Sequence, residues 1–411
     1  MALLKTLTHS VSGLILGAVC CLGVSNAAAQ QSGVTLYGII DLGIEYDQVR
    51  RDAVSGPYPT QSLSQTFFGV SNGVQSGSRW GLRGVESLGA GVAIDFVLEA
   101  GFNPAQGTLS QSSTIFGRQS TMGISMRDVG RLDIGRQINL ASNYFLTIDP
   151  FAEGFGQANI GTSFGSTNTA RYGNMLLLQA KPLSGLTIGA GYSFSTGITG
   201  IYAGDLSCLT SLSCSQQAGD YNFVANQNMR ALTLGAQYSR GPVDLAIAYD
   251  VLYGDASQQD SNTNLSAWVL GGAYDFKVIK LAAALGRIMN GFANGQSSGT
   301  GSVSPSGLIT PSGPGGAVLF MPGAQATSYM VGLTAPLAAQ TTLLASWQMM
   351  QPQGLLNGVT QFKTQQIYSA ALTHNLSART NLYSYVSYAQ NYAMVRTAES
   401  IVFGVGIRHQ F

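Results

Sequence analysis

The final segment of the chain, residues 400–411, alternates apolar side chains with small or polar ones. A period of two is that of a β-strand, in which successive side chains point to opposite faces. One face carries the apolar residues Phe403, Val405, Ile407 and Phe411; the other carries Gly404, Gly406, Arg408 and Gln410. Because the chain ends on this strand, we expect nothing to cover its apolar face except lipid.

The same alternation recurs along the whole chain. In segment 34–46, apolar or small residues occupy the even positions, and Asp41 and Glu45 lie on the opposite side. A soluble β-sandwich also contains such strands, but only 9% of the residues here are charged, against about 25% in ordinary soluble domains. No apolar run outside the first 29 residues approaches the ~20 residues of a membrane helix. Together with 52 glycines, these features predict an all-β, closed transmembrane barrel.

Short turns and long polar connections follow each other in regular order. Seven short turns and eight long connections predict about sixteen antiparallel strands in one barrel domain, residues 30–411. The first long connection is predicted over 47–76, the third over 139–167 and the sixth over 289–325. The sixth is rich in Gly, Ser and Pro, but the strand pattern resumes unchanged after it. We therefore interpret it as an exposed loop rather than a linker between domains.

Residues 1–29 have the features of a secretory signal peptide. Lys5 precedes an apolar run, 11–24, that is too short to span a bilayer, and Ala27 and Ala29 form a cleavage site. A retained anchor is the alternative, but no stop-transfer pattern follows. Removal of this leader takes away Lys5 and no acid, which leaves 19 basic residues against 19 acidic ones. A neutral chain argues against nucleic-acid binding.

Two cysteines remain after the leader, Cys208 and Cys214, within the polar stretch 205–220. In an exported protein the simplest interpretation is a disulfide that closes a small loop. A metal site is the alternative, but it needs further ligands, and no histidine lies nearby. We therefore expect neither a metal nor a cofactor.

Several motifs resemble those of the Gram-negative trimeric porins of β-proteobacterial type. They are the segments 34–41, 78–91, 96–99, 116–119, 132–137 and 404–411. This resemblance implies a homotrimer of sixteen-stranded barrels in the bacterial outer membrane, each with its own aqueous pore. It also implies that the third loop folds inward and narrows the pore, since the segment 149–156 resembles the inward-folding segment of that family.

The family pattern also implies which charges line the narrowest part of the pore. Arg79, Arg118 and Arg171 match the basic cluster of the wall, and Glu99 matches its acidic partner. The third loop would add two acids of its own, Asp149 and Glu153.

Strand parity supports an inward position for Arg79 and Arg83, because an outward arginine near mid-bilayer costs about 2–4 kcal/mol. Arg118 has the parity of the apolar Met122, so a bulge or a position near the strand end must turn it inward. The parity of Arg171 is undefined where the loop ends. For all these arginines an ion pair at a rim or turn is the alternative.

These features together predict a water-filled channel for passive diffusion of small hydrophilic solutes and ions. Fixed charges act strongly in a narrow pore, so the arginines would give a weak preference for anions. A substrate-specific channel for sugars or organic acids is the alternative, with the loop aromatics as a track; those residues are Tyr144, Phe145, Phe151, Phe155 and Phe164.

An enzyme is not expected, because His374 and His409, the two histidines after the leader, neighbour no nucleophile motif. The expected partners are outer-membrane lipid, small solutes and ions, and the barrel-assembly machinery. We expect that machinery to meet the C-terminal strand, which ends at Phe411.

Overall fold

A computed structural model describes residues 33–53, 62–111, 114–167, 170–198, 200–202, 215–217, 228–254, 264–292, 302–303, 309–310, 318–354, 356 and 362–411. The predicted leader, Cys208 and Cys214 lie outside these residues.

Long antiparallel strands form the wall of the molecule. In chain order they are β1 (Gly33–Arg51), β2 (Leu63–Asn72), β3 (Arg79–Gly89), β4 (Val92–Asn103), β5 (Gln119–Met126), β6 (Gly130–Ile138), β7 (Arg171–Leu183), β8 (Leu186–Ser193), β9 (Arg230–Arg240), β10 (Val243–Tyr253), β11 (Leu265–Asp275), β12 (Lys280–Phe292), β13 (Val318–Ala338), β14 (Thr341–Gly354), β15 (Gln365–Asn375), β16 (Thr380–Gln390) and β17 (Ala398–Gln410). Further paired segments of two or three residues lie in the long connections.

The barrel has sixteen strands because β2 and β3 are two halves of one strand. β2 pairs with the C-terminal part of β1, Leu42–Arg51, and β3 pairs with the first seven residues of β1, Gly33–Ile39. The wall closes where β17 pairs antiparallel with β1 over Ala398–Gln410. The predicted fold, a closed sixteen-stranded antiparallel barrel, is confirmed within the described part of the chain.

The alternation of side chains between two environments is also as predicted. In β17, Phe403 is 49% exposed and Ile407 is 44% exposed, whereas Val402 between two such positions is 1% exposed. In β1, Val34 and Ile44 point outward, while Asp41 and Glu45 are buried on the inner side. Apolar side chains thus cover the outside of the barrel, and polar ones line its interior.

The predicted bounds of the long connections were too wide. β1 continues to Arg51 and β2 covers Leu63–Asn72, so half of the predicted connection 47–76 is strand. The sixth connection likewise begins only after Phe292 and ends before Val318. The reason is that the ladder continues above the lipid belt, where the outward side no longer has to be apolar. Alternation of hydrophobicity therefore marks the belt rather than the strand.

Helices are short in the described residues. α1 (Leu140–Phe145) lies in the third long connection, and the others are single 3₁₀ turns. No helix there has the length and apolar character needed to cross a bilayer.

The C-terminal residue joins the first strand on the outside of the barrel. Phe411 and Gly38 exchange two backbone hydrogen bonds of 3.1 Å each. The Phe411 ring lies over Gly38 at such short range that a side chain at Gly38 would overlap it, and a Cβ there would also be 2.7 Å from the Arg79 carbonyl oxygen. Closure of the barrel at this point therefore needs a residue without a side chain.

We predict that Gly38→Val destabilises the barrel by about 1–3 kcal/mol, the usual range for overpacking. Gly33→Val is the matched control, because it lies in the same strand and a Cβ at Gly33 meets nothing within 4 Å. The measurement is the free energy of unfolding in urea for protein refolded in detergent. Equal stability of the two variants would contradict the assigned role of the Gly38–Phe411 contact.

Candidate functional site

The third long connection folds into the lumen over its described residues 139–167; we call it loop 3. Its first residue, Asn139, caps α1 by accepting a hydrogen bond from the Ser142 N–H. The Asn139 amide donates to the Asp250 carboxylate at 2.9 Å and to the Ser166 carbonyl at 2.8 Å. Both ends of loop 3 are therefore tied to one another and to the inner face of β10.

Inward glycines on four strands of the wall let loop 3 lie close against it. A Cβ at any of these positions would crowd a loop side chain or the neighbouring strand. The pairs are Gly235 with Tyr144, Gly271 with Phe145, Gly286 with Phe164 and Gly332 with Pro150. Since β9, β11, β12 and β13 supply these glycines, the loop follows the interior of the barrel rather than standing free in it.

Three aromatic rings hold the tip of loop 3 against β16. The Phe155 ring lies 5.7 Å from those of Tyr383 and Tyr385, with edge-to-face geometry in both cases. The Tyr383 hydroxyl donates to Asp41 at 2.6 Å, and the Tyr385 hydroxyl donates to Glu45 at 2.7 Å. These inward acids of β1 thus orient the tyrosines against which the loop packs.

Polar side chains of the wall also hold the tip through its backbone. The Gln348 amide donates to the carbonyls of Ala158 and Asn159 at 2.8 and 3.1 Å. Ser328 donates to the Ser163 carbonyl at 2.6 Å further along the loop. A loop kept in a polar lumen satisfies its backbone in this way, which lipid would not permit.

The carboxylate of Asp149 organises the loop itself. The backbone N–H groups of Phe151, Glu153 and Ile160 donate to it at 3.1, 2.9 and 3.1 Å. Burial raises the pKa of Asp149 to about 6, although these three hydrogen bonds act in the opposite direction. Asp149 is 4% exposed and Glu153 is 9% exposed. The structure therefore places both acids inside the loop packing rather than on an open pore wall, which differs from the sequence expectation.

The predicted basic residues come together around Glu99. Arg118 Nε lies 2.6 Å from Glu99 Oε1, and Arg79 lies 4.0 Å from the same oxygen. The Tyr37 hydroxyl donates to Glu99 Oε2 at 3.0 Å. Arg171, the first residue of β7, is close enough to Arg79, Arg118 and Glu99 to interact electrostatically with all three. Arginines thus outnumber the acid that they share.

Arg118 and Arg83 differ in whether the strand pattern gives the direction of the side chain. Arg118 precedes β5, which begins at Gln119, so the outward parity of Met122 does not extend to it. Its inward contact with Glu99 agrees with the predicted turn near the strand end. Arg83 has the same parity as Arg79 on β3, which predicts that both side chains lie on the same face. Its guanidinium carbon is 5.3 Å from the Tyr37 ring centroid.

The contacts that hold loop 3 against the barrel wall were not predicted from the sequence. Asp41 and Glu45 were placed on the inner side, but their partners Tyr383 and Tyr385 were not identified. The available signal was the inward parity of both tyrosines on β16, which is next to β17 and close to β1. The glycines beneath the loop were counted only as a feature of barrel composition. No group of side chains that could hold a metal occurs in the part of the chain that the structure describes.

Comparison with known proteins agrees with this architecture. A family model described as Gram-negative porin matches residues 17–393. An outer membrane porin protein of Bordetella pertussis is 42% identical over 402 residues, which is 97% of this chain and 99% of that protein.

Two solved structures are similar in fold. The anion-selective porin from Comamonas acidovorans has a TM-score of 0.63 and 21% identity, over 93% of this chain and 100% of that one. OmpT of Vibrio cholerae, in a trimer form, has a TM-score of 0.55 and 11% identity, over 93% of this chain and 100% of that one.

We predict that Asp149→Ala loosens loop 3, because three buried N–H groups lose their acceptor and each orphaned donor costs about 1–3 kcal/mol. Amide hydrogen exchange at Phe151, Glu153 and Ile160 should become at least about fivefold faster. Asp275→Ala is the control: that exposed acid accepts one N–H, from Lys277, in a short turn. Unchanged exchange at the three amides in Asp149→Ala would show that Asp149 does not hold the loop.

Proposed function

The chain belongs to the Gram-negative porin family, and we propose that its pore passes small hydrophilic solutes and ions by passive diffusion with a weak preference for anions. It is an outer-membrane porin, and its strands cross the bacterial outer membrane. The proposal concerns which solutes pass through the lumen and whether the charges of this chain favour anions or cations.

The observation that carries the proposal is the arginine cluster around Glu99. Arg79 and Arg118 share one carboxylate, so the group keeps a net positive charge, and Arg171 adds to it. Loop 3 buries its own acids: the Asp149 carboxylate accepts three backbone hydrogen bonds, and Glu153 is 9% exposed. Charges in a narrow pore act through a poorly screening medium, so two arginines that share one carboxylate favour anions there.

A substrate-specific channel is less well supported. Such a channel needs aromatic rings that are open to the solute, whereas the loop aromatics are packed against the wall. All five are buried: Tyr144, Phe145, Phe151, Phe155 and Phe164. Liposome swelling with sugars of increasing size separates the two functions. A smooth decline with size supports general diffusion, and saturation with one solute supports a specific channel.

The same proposal includes processing and assembly of the chain. We infer that residues 1–29 are removed, that Cys208 and Cys214 form a disulfide, and that the strand ending at Phe411 is recognised by the barrel-assembly machinery. We also infer that the protein is not an enzyme, since its relatives are channels. The mass of the mature protein before and after reduction tests the first two inferences, because it reports the first residue and because reduction of a disulfide adds two hydrogens.

We further propose a homotrimer. The outward face of β1 is apolar and exposed, with Val34, Leu36 and Ile44 all more than half exposed in the single chain. Such a surface suits packing between barrels as well as contact with lipid.

For the homotrimer we predict three equal conductance steps per inserted particle in planar bilayers, one for each lumen. Chemical crosslinking in detergent is the accompanying control for subunit number. Single steps from a particle that crosslinks only as a monomer would exclude the trimer.

For selectivity we predict opposite effects of neutralising the two signs of charge. In a salt gradient, Arg79→Gln and Arg118→Gln should each shift the permeability ratio towards cations by about twofold, and Glu99→Gln should shift it towards anions. Arg379→Gln, in an exposed turn, is the control with no expected shift. The measurement is the reversal potential. Shifts of the same sign for Arg79→Gln and Glu99→Gln would refute the assignment.

A further inference from the structure

The outer face of the barrel carries a row of large aromatic side chains near the long connections. They share the parity of exposed apolar residues on their strands; the row consists of Trp268, Tyr329, Trp347, Tyr368 and Tyr388. Aromatic side chains of this kind mark the boundary between hydrocarbon and headgroups. Because long loops lie on the extracellular side, this boundary belongs to the outer leaflet.

Arg287 lies on the outer face at the level of this row. On β12, Leu281 and Leu285 have the same parity and are 44% and 36% exposed, whereas Ala284 and Ile288 are buried towards the lumen. Arg287 is paired directly with Trp268 of β11 in the ladder. It therefore points away from the pore, at the upper edge of the lipid belt.

The guanidinium of Arg287 has only a neutral partner in the described residues. One terminal nitrogen donates to the Gln325 side chain, and its Nε is buried without a hydrogen-bond acceptor. No carboxylate of the described chain forms an ion pair with Arg287. A cation beside hydrocarbon is costly without a counter-charge, so this position favours an anion from outside the protein.

Arg230 repeats these features on β9. It has the parity of Leu234, which is 38% exposed, and its guanidinium carbon lies 5.5 Å from the ring centroid of Tyr253. Its Nε is also buried without an acceptor. In the described part of the chain, neither of these two outward arginines forms an ion pair with a carboxylate, and each lies beside an aromatic residue.

Arg50 on β1 shows the contrasting arrangement. It also points outward near the extracellular rim, but its Nε donates to Glu399 at 2.8 Å, and a second nitrogen lies 2.5 Å from the same oxygen. The protein supplies the counter-charge here. Among the described residues, Arg287 and Arg230 of the β9–β13 face have no such acidic partner.

We propose that Arg287 and Arg230 bind the phosphate groups of lipid headgroups in the outer leaflet. Guanidinium donors match phosphate oxygens and make strong charge-assisted hydrogen bonds. Trp268 is opposite Arg287 in the ladder and the Tyr253 ring lies beside Arg230, so at each position a lipid can contact both a ring and a cation. A free phosphate ion would gain only the second of these contacts.

The test measures lipid binding to the folded protein in detergent by native mass spectrometry. The probes are lipid A, which carries phosphate, phosphatidylcholine, whose headgroup has no net charge, and inorganic phosphate. Arg287→Gln and Arg230→Gln should each weaken lipid A binding by about fivefold, and the double variant by about twenty-fivefold. Arg50→Gln is the matched control and should bind lipid A as the wild type does. Phosphatidylcholine should bind all forms equally weakly.

Three outcomes would overturn the proposal. They are wild-type affinity in both single variants, an equal loss in Arg50→Gln, and displacement of lipid A by inorganic phosphate at equal concentration. The last outcome would indicate a site for free anions. Each variant is first checked for wild-type single-channel conductance, which these outward residues should leave unchanged. If one single variant does not fold, the other decides the question alone.

Discussion

The structure depends on one constraint, which is that no backbone N–H or C=O group can remain unpaired in hydrocarbon. A sheet satisfies this condition only if it has no edge, so β17 must pair with β1 along its whole length. Closure then separates an outside from an inside, and alternate residues of every strand meet lipid or water. The composition of the chain follows from this geometry, because half of each strand must be apolar without forming a continuous apolar run.

The interior uses the same parity for a different purpose. Small inward residues leave room for loop 3, and larger polar ones hold it. Gly235 and Gly271 admit aromatic side chains of the loop, while Gln348 donates to the loop backbone. Asp149 closes the loop on itself through three N–H groups. Asp149 is thus engaged within the loop, whereas Arg79 and Arg118 share the single carboxylate of Glu99.

Much of the fold was predictable because the period-two pattern reports the environment of each side chain directly. It placed Phe403 and Ile407 outside and Arg79 and Arg83 inside. It could not place the ends of strands, since the ladder of β1 continues to Arg51 where lipid no longer selects apolar residues. It also could not place Arg118, which precedes the regular ladder. The role of Asp149 was not predictable, because three-dimensional packing of the loop, rather than strand parity, decides where that carboxylate points.

The arginines of this barrel show that position, and not residue type, determines their chemistry. Arg118 lies on the lumenal side, where Glu99 offsets part of its charge. Arg50 faces outward and is neutralised by Glu399. Arg287 also faces outward, yet the nearest side chain it binds is the uncharged Gln325. A cation beside hydrocarbon is costly without a counter-charge, and no described carboxylate pairs with Arg287, so we assign this residue to the contact between the protein and the headgroups of its membrane.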